Sequence, residues 1–215
     1  MIINSTYFNS KPLYIPNSVP QPAIGYNTPD STEELNMFID ERERELLLSF
    51  LGYEQTTELL NQFTEAGEWI ETPLQKWVDL VDGKEDWKGL RYTVSGKKYS
   101  LIAYFVYFYF LGEDSTFYST TGIQSPDAAN STPVAPNPRQ AKSWNTFLRM
   151  YGNIYGYGRG VSPTFFNNWN GTGMMWLGNN PDTNVVTLYD FMSRNSDIYN
   201  MSFFRAYSPV NAFGL

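Results

Sequence analysis

The side chains that most often carry out chemistry are missing from this chain. It has no histidine and no cysteine. That excludes a Ser-His-Asp triad, an imidazole base, a thiol nucleophile, a disulfide framework and metal sites built on His or Cys. Carboxylate, lysine and tyrosine chemistry remain open. Sixteen acids fall between residues 30 and 86, the natural place to look for a glycosidase-type carboxylate pair. None stands in a recognisable pocket motif, and so dense a set puts acids close together by chance. Gly156-Tyr157-Gly158-Arg159-Gly160 is glycine-rich, but it follows a helical pattern and no Lys-Ser or Lys-Thr comes after it. A phosphate cradle needs a strand before it and a helix N-terminus behind it, so the segment reads as a turn. Asp182, Asn184 and the Asn-rich stretch from Asn167 offer oxygen ligands for calcium, without the ordered loop pattern such a site requires. The expectation is a protein that is not an enzyme and needs no cofactor or metal.

Binding chemistry is better represented. The chain has six Trp, sixteen Tyr and fifteen Phe in 215 residues. Phe165, Phe166, Trp169, Trp176, Phe203 and Phe204 lie in the last sixty residues, where they could stack on sugars or unpaired bases. Stacking on nucleic acid also calls for a positive groove, and Arg159, Arg194 and Arg205 are thinly spread. These rings are therefore read as core or subunit interface, the usual destinations of amphipathic aromatics. The net charge of −7 is uneven: +1 over residues 1–29, −12 over 30–86 and +4 over 87–215. An acidic chain is ill suited to wrap on nucleic acid, which takes phosphate-neutralising Lys and Arg.

These residues must be positioned by a succession of elements. Residues 1–30, with Pro12, Pro16, Pro20 and Pro22, read as an extended N-terminal arm that orders on a neighbour or not at all. They lack the basic and apolar regions of a signal peptide. Ser31 and Glu34 form a capping box for a helix carrying Leu35, Phe38, Ile39, Leu46, Leu47, Phe50 and Leu51, with a solvated stretch at 40–45. Gly52 stops it, and a short second helix follows over 54–63. Thr72-Pro73 opens a helix to about Val81, with Leu74, Trp77, Val78 and Val81 on one face. Two short strands flank Ser95-Gly96 in a hairpin. Ser100 caps an apolar helix over 101–111, ended by Gly112. That run is too short for a membrane span of about 20 residues and reads as the central core helix. Residues 113–136 lack periodicity and read as a loop laid on a partner. Asn137-Pro138 starts an amphipathic helix with Ala141, Trp144, Phe147, Leu148 and Tyr151, closing a domain at residue 155. Residues 156–215 are a Gly-, Asn- and aromatic-rich tail packed on core or neighbours, with one short helix at 186–194. The fold class is mainly α: a small bundle around a buried aromatic helix, with a short hairpin and an extended arm, loop and tail. Leu47, Phe50, Leu51, Trp77, Tyr104, Phe105, Phe108, Trp144, Leu148 and Tyr151 are the expected core.

The order of these elements resembles the head–tail connector proteins of tailed bacteriophages. The cues are Leu47-Leu48-Ser49-Phe50-Leu51-Gly52-Tyr53 turning straight into a second helix, Trp77 before Asp82-Gly83, Trp87-Lys88-Gly89-Leu90, the aromatic helix from Leu101, Thr120-Thr121-Gly122-Ile123, and the long helix from Asn137. The likeness covers residues 31–155 and is strongest to the neck or ring proteins of crAss-like phages that infect Bacteroides. It implies a structural virion protein, assembled in the host cytoplasm. Its homo-oligomeric ring, about twelve-fold, closes on heterologous contacts. Such a ring binds the portal and other neck or tail proteins, and genomic DNA passes through its lumen without specific binding or any membrane role. On this reading Glu41, Glu43 and Glu45 of one subunit face Lys97, Lys98 or Arg149 of the next, and the stretch 40–45 is a second candidate, as acidic lumen lining. Another tail or minor capsid protein, or a carbohydrate-binding module built mostly of β-structure, are the alternatives.

Overall fold

The computed structural model describes residues 1–16, 18, 31–64, 66–114, 117–119, 122–124, 137–152 and 186–208. Their fold is mainly α, as the periodicities lead one to expect. The helices are α1 (Ser31–Leu60), α2 (Gln75–Val81), α3 (Leu101–Asp114), α4 (Asn137–Tyr151) and α5 (Leu188–Arg194). Two antiparallel hairpins join them: β1 (Arg91–Val94) with β2 (Lys97–Ser100), and β3 (Phe117–Ser119) with β4 (Gly122–Gln124).

The stop signal at Gly52 becomes a kink inside α1. Its φ of 71° and ψ of 179° lie where only glycine is at ease. The ring of Phe203 fills the space where a side chain would stand, 2.5 Å from an added Cβ. Helix α2 starts later than Thr72-Pro73 suggests. The backbone N–H of Leu74 donates to Gln62 Oε1 at 2.8 Å, and Leu74 stays extended as the N-cap. The β1–β2 register pairs Arg91 with Ser100 and Val94 with Lys97. Ser95 and Gly96 both have positive φ, the geometry of a tight hairpin turn.

Ser100 caps α3 as expected. Its Oγ accepts from the N–H groups of Ile102 and Ala103 and donates to the Leu90 carbonyl at 2.7 Å, so one hydroxyl ties cap to hairpin. Gly112 does not end this helix, which runs on to Asp114. An added Cβ at 112 would come within 2.9 Å of Gln140 Nε2, and that amide donates to the Phe108 carbonyl. The glycine allows α3 and α4 to approach. Ser143 Oγ bonds the Tyr104 carbonyl at 2.7 Å across the same contact. Of the segment expected as a loop, 113–114 extend α3, and 117–119 pair antiparallel with 122–124; the remainder lies outside the described residues.

Leu47, Phe50, Leu51, Trp77, Phe105, Trp144, Leu148 and Tyr151 are buried, and Tyr104 and Phe108 are half-buried against them. The described part of the tail completes this core. Leu188, Phe191, Met192, Tyr199 and Tyr207 are buried. Tyr199 Oη donates to the Lys76 carbonyl at 2.6 Å, Tyr151 Oη to that of Arg205 and Trp144 Nε1 to that of Ser208. Phe165, Phe166, Trp169, Trp176 and the glycine-rich segment at 156–160 lie outside the described residues.

The N-terminal arm differs most from expectation. Residues 1–16 have little regular structure beyond a 3-10 turn over Ser5–Phe8, yet they are seated on their own chain. Ile2, Ile3, Phe8, Leu13 and Ile15 are all buried in the common core. A proline-bearing segment need not form a helix or strand to bury apolar side chains.

Candidate interaction surfaces

The acidic stretch of α1 holds three of the residues expected at a subunit contact, and helical geometry sends them to different places. Glu43 is 1% exposed. Its carboxylate accepts the backbone N–H of Ile2 at 2.8 and 2.9 Å through both oxygens, and that of Ile3 at 3.0 Å through Oε2. The expectation that Glu43 meets a neighbouring subunit is therefore corrected: it holds the arm of its own chain. Burial pushes its carboxyl up to about 7, against the opposing pull of the positive charge at Met1 and of the two N–H donors. Arg91 completes the clasp by donating to the Ile2 carbonyl at 2.9 Å.

Glu41 and Glu45 do reach the surface. Arg42 gathers them: it pairs with Glu45 at 2.8 Å, with Glu113 at 2.9 Å and more loosely with Glu41 at 3.8 Å. Its guanidinium also lies over the rings of Phe38 and Tyr109, so α1 and α3 are tied by charge and by cation–π contact. The side chain of Glu41 is 70% exposed. Around it on the outer face stand Met37, Arg44 and Leu48, all exposed. The residues expected at a subunit contact include the acids but not Met37, Arg44 or Leu48, although their spacing of four, three and four residues with Glu41 marks the face.

The expected basic partners are also exposed but differ in engagement. Lys97 and Lys98 stand on β2 beside the hairpin tip, with Val94. Lys98 Nζ bonds Thr6 Oγ1 at 2.8 Å and lies over the Tyr7 ring, so it serves the arm. Lys97 projects at the tip. Arg149 is exposed in the last turn of α4, where a cation suits the helix dipole, and its guanidinium reaches Thr146 Oγ1. The structure thus does not gather these six residues into one site.

A further apolar surface lies at the α1 kink. Tyr53, Ile198 and Phe203 are exposed there, and Gln55 binds both the Ile198 carbonyl and the Asn200 N–H. Among the described residues no group of three or more acids is placed to hold a metal ion, and no helix is long and apolar enough to cross a membrane.

Comparison with known proteins adds nothing to these surfaces: no family model matches the chain, and neither a curated protein nor a solved structure is matched.

Proposed function

We propose that this chain is a structural subunit of the neck of a tailed bacteriophage. In this reading many copies form a ring that joins the portal to the tail and continues the DNA channel. The observation that carries the proposal is the succession of elements: a helix kinked at Gly52, a short helix bearing Trp77, a tight hairpin, a buried aromatic helix and an amphipathic helix packed on it. That is the layout on which the resemblance to connector proteins rests.

The surface is consistent with a protein that works by contact. The hairpin tip presents Val94 and Lys97, and the kink presents Tyr53, Ile198 and Phe203. Apolar groups rimmed by polar ones are how interaction surfaces are commonly built. The mainly helical fold disfavours the sugar-binding alternative, which calls for β-structure. Ile2, Ile3, Phe8, Leu13 and Ile15 are committed to the chain's own core, so contacts between ring subunits would draw on other surfaces, such as the hairpin tip and the helical faces.

The deciding experiment is the native mass of the purified chain over a range of concentrations, alone and with a portal assembly. A closed oligomer of about a dozen copies, or a complex with the portal, is the expected result. A monomer at every concentration that also ignores the portal would refute the reading.

A further inference from the structure

We propose that the outer stripe of α1 docks on the same stripe of a second copy of this chain, the two helices lying antiparallel about a two-fold axis. Met37, Glu41, Arg44 and Leu48 form the stripe, at intervals of four, three and four residues. That is the spacing with which one helix presents a seam to another. Met37 is 70% exposed, and the side chains of Glu41 and Arg44 are 70% and 58% exposed. Their loose contacts in the chain are Glu41 to Arg42 at 3.8 Å and Arg44 to Asp40 at 3.7 Å.

The order of these four residues names the occupant. Met37 and Leu48 are equally distant from a midpoint between Arg42 and Glu43, and so are Glu41 and Arg44. Laid antiparallel on itself, the stripe sets Met37 against Leu48 and Glu41 against Arg44, each contact made twice. This is the self-complementarity an isologous contact demands. A parallel pair would set Glu41 on Glu41 and Arg44 on Arg44, and like charges face to face are costly. The basic hairpin tip of another copy would suit Glu41 but would bring Lys97 toward Arg44 in the middle of the stripe. The flanking acids come with their own cations: Glu45 is held by Arg42 at 2.8 Å, and Asp40 lies beside Arg44. The contact goes beyond the ring reading and does not depend on it. A ring closes on heterologous contacts, whereas this one is two-fold. It also covers the stretch that would otherwise line an acidic lumen.

The test exploits the symmetry and the lack of cysteine. Glu41→Arg and Arg44→Glu, each alone, create a like-charge contact and should weaken self-association by about tenfold or more. Mixed together they should form a one-to-one hetero-pair in native mass spectra, because both crossed contacts are then opposite in charge. In parallel, Met37→Cys mixed with Leu48→Cys should give an interchain disulfide under mild oxidation, far above Met37→Cys or Leu48→Cys alone. All four side chains are at the surface, so unchanged circular dichroism is the folding control. The pairing is overturned if the mixed charge variants stay apart, or if the cysteine mixture cross-links no faster than either variant alone. A many-membered ring that E41R and R44E leave unchanged would overturn the pairing and leave the ring reading standing. Two-copy association that never proceeds to a ring would do the reverse.

Discussion

Glu43 shows how far one residue's role can depart from its neighbours'. It sits in a run of alternating acids and bases whose sequence says solvent, yet it turns inward and binds two backbone N–H groups of the arm. The facing charged groups are Asp40 on its own helix, the positive charge at Met1 and Arg91 beside the arm, with the neutral phenol of Tyr7 nearby. Burial is the largest influence and raises its carboxyl to about 7 from an ordinary 4.5. The folded state then holds a proton that the unfolded chain releases at lower pH. Stability from this group is full below about 4.5 and is lost as pH rises through about 7. The expected loss is on the order of 3 kcal/mol. Urea unfolding of wild type and Glu43→Gln between these pH values checks it: the glutamine variant should lack that decline, since its amide does not titrate. An equal slope in both proteins would assign the pH dependence elsewhere.

Gly52 sets the course of α1, because the direction of everything after the kink depends on a backbone conformation that other residues avoid. Gly52→Ala meets two obstacles, positive φ and the Phe203 ring at 2.5 Å. It should cost about 2–4 kcal/mol, the combined scale of an unfavourable φ and an overpacked contact. Adding Phe203→Ala removes the collision but not the backbone penalty. The double variant should therefore recover part of the loss, and denaturant titration of the single and double variants measures how much. Full recovery would mean that the φ requirement carries no weight; no recovery would mean that the ring does not matter. Both helix boundaries at this kink were legible in the sequence, because a glycine between two apolar periodicities is a local signal. Gly112 carried the same local signal and did not end its helix. Its neighbour is Gln140, on a helix almost thirty positions away, and no local pattern reports such an approach.

Two described segments far apart in the chain, 1–16 and 186–208, both pack on the helices between them. Phe8 is fully buried, and Phe8→Ala should destabilise the isolated chain by about 3–5 kcal/mol. An arm that ordered only on a neighbour would give no such effect on a monomer, so thermal or chemical unfolding of the variant separates the two cases. Sequence alone determined the helices, the β1–β2 hairpin, the cap at Ser100 and most of the core's helical part, including Trp77, Phe105, Trp144 and Tyr151. These follow from periodicity and turn chemistry, which act over a few residues. It also fixed the absence of imidazole and thiol chemistry, since composition needs no fold. Only the tertiary structure decided that Ile2 and Ile3 meet Glu43, that Lys98 serves Thr6, and that Tyr199 and Tyr207 join the core. Those contacts bridge from forty to more than a hundred and fifty residues, and in an irregular segment no repeat marks which side chains turn inward. The partner of a buried carboxylate is chosen by where the chain returns in space, and that is set by the packing of all the elements together.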